Sequence, residues 1–250
     1  MPNILGVNIA VSSYDEVVQR CTDWARTGVS RSVFFANVHV LMEAHDKEEF
    51  RAKLNTADMV NPDGMPLVWA LRALGNRDAR RVYGPDATEA LLPAAQMAGI
   101  PIGFYGGSET TLAQLVSKVE QRYPGIRIVF TMSPPFRPLS EAEDQSVVQQ
   151  ISDSGVRFLF VGLGCPKQEN WIIDHQGRVP AVMLGVGAAF DFLAGTKPQA
   201  PRWMMKNGLE WVYRLASEPR RLAGRYLKHN PRFLALFLSQ WMSNRASNAG

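Results

Sequence analysis

The sequence predicts an α/β fold, a parallel sheet with helices on both faces, followed by a C-terminal helical appendage. Three observations carry that reading. Short runs rich in Val, Ile and Phe alternate with longer helical patterns, which is how a parallel sheet covered on both faces reads. Several of those runs end in glycine-rich turns. From Pro198 onward the strand signals stop and the pattern turns helical. At 250 residues, 46% hydrophobic and 10% aromatic, the chain can bury a sizeable core, and disordered or low-complexity classes are excluded.

In chain order, residues 32–36 read as a strand ending at Asn37, and residues 40–57 as helix. Met59-Val60 opens a short strand that Asn61-Pro62-Asp63-Gly64 stops. Residues 101–105 form the next strand, closed by Gly106-Gly107-Ser108 and followed by helix over 109–123. Residues 126–131, 157–161 and 181–184 are further strands, with a helix over 141–154 between the first two. Gly162-Leu163-Gly164-Cys165-Pro166 and Gly185-Val186-Gly187 are the turns behind the last two. The alternation gives a Rossmann-like sheet over residues 1–197, with residues 198–250 as a basic helical appendage.

Charge separates the same two parts. Residues 202–232 hold eight bases against two acids, a net +6, whereas the whole chain is +4. A mildly acidic body carrying a basic tail points to an anion: nucleic acid, a phosphorylated ligand or an acidic membrane surface, with a merely solvated helix face as the plain alternative. Arg221, Arg225, Lys228 and Arg232 recur at spacings of four, three and four, so they share one helix face. Beside them runs a stripe of Leu222, Tyr226, Phe233, Phe237 and Trp241, which reads equally as a packing face or as an interfacial membrane helix. Pro219 is expected to begin a new helix rather than lie within one. The longest late apolar run is Phe233 to Leu238, far short of a bilayer span. Met1-Pro2-Asn3-Ile4 has no signal-peptide character, and two distant cysteines, Cys21 and Cys165, suit a reducing cytoplasm.

In an open parallel sheet, ligands bind beyond the carboxyl ends of the strands, where glycine turns and helix N-termini favour phosphate. No dinucleotide fingerprint or P-loop occurs, since Gly103, Gly106 and Gly107 have the wrong spacing. Asp63 follows a short strand on the crevice side, where a carboxylate next to a glycine can act as general base; an Asx-turn is the plainer reading. Asn37 ends the neighbouring strand, so the two side chains are expected side by side. Gly164, Lys167 and Gln168 offer donors at a helix start. Cys165 has no histidine in a recognisable relation, His39, His45, His175 and His229 have no ligand spacing, and Asp-x-Asp is absent. No metal and no other cofactor is therefore expected, and a leaving diphosphate must be met by Arg or Lys.

Taken together, Phe35-Ala36-Asn37, Ala57-Asp58 through Asp63-Gly64, Arg81-Val82-Tyr83-Gly84-Pro85-Asp86, Gly164 to Glu169, Gly185 to Asp191 and Gly208 to Arg221 resemble the WecG/TagA/CpsF family of bacterial glycosyltransferases over residues 3 to 235. The resemblance implies an inverting, metal-independent hexosyl transfer from a UDP-sugar to a polyprenyl-pyrophosphate-linked saccharide in cell-surface polysaccharide assembly. It places the enzyme in the cytoplasm, peripheral on the inner face of the bacterial cell membrane. Carried onto this chain, it makes Asp63 the base, Arg81 and Gln168 catalytic partners and Asn37 a sugar-binding residue. Arg214, Arg221 and Arg225 would close over the diphosphate, and Asp191 and Phe136 would contact the nucleoside. Gly106, Gly164 and Lys167 complete the expected nucleotide contacts. Two departures from the family pattern stand out: Phe35 where a Thr is common, and Ser133-Pro134-Pro135-Phe136 near the uracil. The wording Asp63-Gly64-Met65-Pro66-Leu67 leans slightly toward exopolysaccharide members and UDP-glucose. No nucleic-acid partner is expected, an anionic membrane surface is, and a homo-oligomer is left open. The rival from another class is a non-catalytic nucleotide-binding module docked to a membrane complex.

Overall fold

The computed structural model describes residues 1–247; the side chains of Lys206, Arg221 and Ser247 lie outside that description. A short antiparallel hairpin, β1 (Asn3–Ile4) and β2 (Val7–Asn8), precedes α1 (Tyr14–Thr27), which starts in a capping box between Ser13 and Glu16. There follow β3 (Arg31–Ala36), α2 (Val38–Asp46), α3 (Glu48–Leu54), β4 (Met59–Pro62), α4 (Met65–Ala73) and α5 (Gly84–Ala98). Then come β5 (Ile102–Gly106), α6 (Glu109–Arg122), β6 (Ile128–Met132), α7 (Glu141–Asp153), β7 (Phe158–Gly162), α8 (Lys167–Asp174), β8 (Val182–Gly185) and α9 (Ala189–Ala194). The chain ends in α10 (Arg202–Lys206), α11 (Glu210–Ser217) and α12 (Pro219–Ser247), so Pro219 does begin a helix.

Six strands form one all-parallel sheet in the order β4-β3-β8-β7-β5-β6. Alternation along the strands divides the core in two. Phe34, Leu159, Val161 and Met183 face one side, with residues of α2, α4, α7 and α8. Val33, Phe35, Phe104, Phe158, Phe160 and Leu184 face the other, under α1, α5, α6 and α9. The expected helix over 40–57 is two helices, because Lys47 is extended (φ −126°, ψ 103°) and redirects the chain so that Phe50 and Leu54 reach the core. The strand expected at 126–131 starts two residues later: the ladder with β5 shifts register after Ile102, and Ile102 N–H bonds the Arg127 carbonyl at 2.8 Å.

After β5 the chain moves outward to β6, and after β7 it moves the other way to β8. The crevice beyond β5 and β7 is therefore the topological switch point. Gly106, at the end of β5, has φ +121°, and a Cβ there would lie 2.6 Å from the Gly162 carbonyl. Only glycine lets these two strand ends close to that distance.

The C-terminal helices pack on the body rather than beside it. Leu222, Phe233 and Phe237 are buried, and the two Phe rings stack inside the core shared with α2. Gln240 accepts from Leu5 N–H and donates to the Asn3 carbonyl, both at 2.9 Å, and Trp241 Nε1 donates to the Ala73 carbonyl at 3.1 Å. Arg232 pairs with Asp46 at 2.7 Å. The interfacial reading of the Phe233–Phe237–Trp241 stripe is thereby corrected, since that face turns inward. Among the described residues of α12, the exposed large apolar ones are Leu227, Leu234, Leu238 and Met242. Among the described residues no helix is long and apolar enough to cross a membrane.

Candidate active site

Two cavities lie at the carboxyl ends of the strands. The first is built around Asp63. Strands β3 and β4 end in register, Ala36 opposite Pro62, and Asp63 N–H bonds the Ala36 carbonyl at 2.8 Å. That pairing sets Asn37 and Asp63–Gly64 side by side, as the sequence implies. Asn37 also caps α2, its Oδ1 accepting from His39 N–H (3.0 Å) and Val40 N–H (3.3 Å). The cap commits its carbonyl oxygen and leaves the amide hydrogens of this cavity-lining residue to donate elsewhere.

Arg81 organises the carboxylates. Its Nε donates to the Asp63 carbonyl, and its Nη2 donates to Glu210 and to Asp63 Oδ1, the latter at 3.5 Å. The guanidinium lies 4.2 Å above the Tyr83 ring. The Asp63 side chain is only 16% exposed. Burial, with Arg81 and Arg214 pulling down and Glu210 pushing up, leaves its carboxyl raised to about 7. A carboxyl poised there can hold or release a proton at neutral pH.

The far wall comes from α11 and α12: Glu210, Trp211, Arg214, Leu222, Arg225 and Tyr226. Trp211 and Tyr226 meet edge to face at 6.2 Å. Arg214 is held charged by Tyr226, Tyr83, Glu210 and Asp63 against the cost of its burial. The cavity is about 130 Å³, below the roughly 300 Å³ at which small-molecule sites begin. With the C-terminal helices in place it admits a sugar-sized group, not a whole nucleotide sugar.

The second cavity, about 700 Å³, occupies the switch point. Gly107-Ser108 at the start of α6, Lys167 at the start of α8, and Tyr105 and Trp171 line it. Tyr105 and Trp171 lie 4.5 Å apart, and Trp171 stacks on His175 at 4.1 Å. Ser133 Oγ donates to the Gly107 carbonyl at 2.7 Å and anchors the loop that carries Phe136. Phe136 lines the mouth but is 88% exposed. A lysine, a capped helix start and aromatic walls suit a phosphorylated aromatic ligand.

The sequence model of the WecG/TagA/CpsF glycosyl transferase family matches residues 2–247. The chain belongs to this family. A protein of Bacillus spizizenii (strain ATCC 23059 / NRRL B-14472 / W23) named N-acetylglucosaminyldiphosphoundecaprenol N-acetyl-beta-D-mannosaminyltransferase is 30% identical over 187 residues. The match covers 74% of this chain and 71% of that relative.

Within this WecG/TagA/CpsF chain, Asn37, Asp63, Arg81, Arg214 and Arg225 line the first cavity, and Lys167 and Phe136 the second. Other expected site residues lie elsewhere. Gln168 is buried, its Oε1 accepting from Gly164 N–H (3.2 Å) and its Nε2 donating to Glu169 (2.9 Å), so it and Gly164 shape the turn before α8. Gly106 supports the second cavity through the close strand approach rather than by lining it. Asp191 lines neither cavity; it pairs with Lys197 (3.0 Å), which also pairs with Glu218 (3.0 Å), tying α9 to the C-terminal helices. Arg221 lies in α12 with its side chain outside the described residues. The Cys165 thiol is pushed far up by burial and the nearby Glu169, which leaves it a poor nucleophile.

Glu210, Tyr83 and Trp211 lie in the segments that carry the resemblance but were not among the expected site residues. Glu210 left one signal, being one of two acids in the basic segment 202–232. Spacing also missed a cluster. His39 and Glu43 of α2 meet His229 of α12, with ligand-type atoms within 4.8 Å of one another. Glu43 is bonded to Lys47 at 2.9 Å, and the Nδ1 atoms of both histidines are buried without a hydrogen bond.

Proposed function

We propose that this chain is an inverting, metal-independent transferase that moves a sugar from a UDP-sugar to a polyprenyl-diphosphate-linked saccharide at a membrane surface. The observation that carries the reading is Asp63, a buried carboxyl poised near 7 in a sugar-sized cavity walled by Arg81, Arg214 and Arg225. In the reaction the acceptor hydroxyl gives its proton to Asp63 as its oxygen bonds to the anomeric carbon. On the opposite face the bond from that carbon to the diphosphate oxygen breaks, and UDP leaves with the electron pair. Arg214 and Arg225 of the C-terminal helices, with Arg221 next to them in sequence, supply the charge that meets the leaving group. The nucleoside occupies the switch-point cavity.

For the donor, the named relative supports an N-acetylhexosamine such as N-acetylmannosamine. The lean toward UDP-glucose finds no support there. The same relative's name supports a lipid-linked N-acetylglucosamine acceptor. Attachment to an anionic membrane from the cytoplasmic side is supported by the basic helices together with the outward Leu227, Leu234, Leu238 and Met242.

The experiment offers UDP-glucose, UDP-N-acetylglucosamine and UDP-N-acetylmannosamine with a soluble polyprenyl-diphosphate-linked N-acetylglucosamine, and follows UDP release and product mass. Transfer of an N-acetylhexosamine with inverted anomeric configuration is expected. Nucleotide binding without turnover on any donor would instead favour the regulatory-module reading.

A further inference from the structure

A third cleft of about 390 Å³ is lined by Arg81 but not by Asp63. Met65, Arg81 and Tyr83 line both this cleft and the cavity of Asp63, so the two are neighbours that share the residues holding the base. Arg72, Arg80 and Arg202 also line it, against one carboxylate, Asp86. Arg202 is engaged by Asp86 through Nη1 (2.9 and 2.8 Å). Among the described residues Arg72 donates only its Nε, to the Ala79 carbonyl at 3.0 Å, which leaves its Nη groups. Arg80 is exposed, with no hydrogen bond or ion pair among the described residues. Residues adjacent in sequence to the lining Val68 and Arg202 are large and open: Trp69 is 51% and Trp203 61% exposed.

Uncommitted guanidinium groups recognise phosphate by charge-assisted, often bidentate hydrogen bonds. Exposed tryptophans one residue along the chain from the cleft lining offer a platform to an apolar chain at an interface. Resting on the transferase reading, we propose that this cleft binds the diphosphate of the lipid-linked acceptor, with Arg72 and Arg80 as its ligands and the prenyl chain leaving over Trp69 and Trp203. The sugar on that diphosphate then passes Met65 and Arg81 to present its hydroxyl to Asp63. Donor and acceptor diphosphates thus meet separate sets of arginines, the donor's on α11 and α12 and the acceptor's around α4 and the loop before α5.

The test uses the full chain with Arg72→Glu, Arg80→Glu and the milder Arg72→Gln and Arg80→Gln, each checked by thermal melting. Arg77→Glu is the charge-matched control in the same loop, outside the cleft. On a water-soluble short-chain acceptor, each change at Arg72 or Arg80 is expected to raise the acceptor KM roughly tenfold and leave the donor KM in place. Calorimetry with farnesyl diphosphate reads the same subsite without turnover, and a similar loss of affinity is expected there. If the wild type transfers no sugar, the transferase reading fails, and the farnesyl diphosphate titration still decides the cleft. An unchanged acceptor KM, an equal effect from Arg77→Glu, or a loss confined to phosphatidylglycerol vesicles would each overturn the assignment, the last by making the patch a membrane contact.

Discussion

Glu210 of α11 accepts a hydrogen bond from the same Arg81 nitrogen that reaches Asp63. The C-terminal helices therefore do more than cover the cavity: they bring a second carboxylate to the arginine that neutralises the first. With Glu210 in place, Arg81 divides its charge, and Asp63 stays near 7. Lifting these helices would leave Arg81 to Asp63 alone and make the carboxylate a weaker base. Closure and basicity are coupled through one guanidinium.

Asp63→Asn is expected to lower turnover by about 10²–10⁴-fold, the usual worth of a general base, with UDP binding kept. In the wild type, kcat/KM should rise with pH through about 7, because the base works only when ionised. The sign for stability is opposite. A carboxyl whose folded value lies above its ordinary 3.8 contributes stability at low pH that is lost as pH climbs through about 7. Asp63→Asn should therefore melt no lower than wild type at pH 8. Wild-type turnover in this variant would remove Asp63 from the mechanism.

Glu210→Gln keeps the shape and removes the charge that helps hold Asp63 up. The acid limb of the pH–rate profile is expected to move below its wild-type midpoint, with slower turnover on the plateau. A pH–rate series on both proteins reads the shift directly. An unmoved limb would separate Glu210 from the base.

Most of the sheet was legible because its strands are short, largely apolar runs, most of them closed by Gly, Asn or Pro. Asn37 and Asp63 were legible as neighbours because each ends a strand of the same parallel sheet. Glu210 was not, since it meets Arg81 across 129 residues and no periodicity reports such a contact. The α12 stripe shows a further limit: spacing tells which side chains share a face, not which face turns inward. Gln168 and Asp191 belong to matching segments, yet here their side chains hold a turn and an ion pair.

The His39–His229 contact, with rings 5.2 Å apart, joins α2 to α12 and should loosen in acid. Burial, then Arg225, lowers His39 from 6.5 to about 4, and burial, then Lys228, lowers His229. Glu43 and, at His229, Asp46 pull the other way, while Lys47 opposes protonation of His39. The folded state thus resists protons that the unfolded chain accepts. Stability is present above about 6.5 and is lost as pH falls toward 4. Hydrogen exchange across α12 should accelerate over that window, and His39→Phe should flatten the response.

Metal removal is expected to leave transfer intact. The cluster of His39, Glu43 and His229 already commits Glu43 to Lys47 and has the positive charge of Arg225 next to His39, a poor setting for a divalent cation. In the proposed mechanism Arg214 and Arg225, which line the cavity of Asp63, do the neutralising instead. Initial rates in excess EDTA should match untreated enzyme. Loss of activity restored by Mg²⁺ or Mn²⁺ would refute this.

The two faces of α12 should separate in mutagenesis. Phe237 is buried in the core shared with α2, stacked on Phe233, so Phe237→Ala should cost about 3–5 kcal/mol, the usual cost of emptying a buried Phe site. A chain cut after about Ala200 loses both rings, and with them Gln240 on the hairpin and Trp241 on α4. That truncated body is expected to melt well below the full chain as well as to lose transfer. Leu234 and Leu238 face outward, about half exposed. Leu234→Ser with Leu238→Ser should leave the melting temperature within a few degrees, since exposed substitutions rarely exceed about 0.5 kcal/mol. Binding to anionic vesicles should nevertheless fall, because each lost apolar side chain removes area that would enter the headgroup region. Turnover on a lipid-embedded acceptor should drop with it, while turnover on a water-soluble acceptor is kept. Unchanged vesicle binding in the double variant would leave the basic residues alone as the membrane contact.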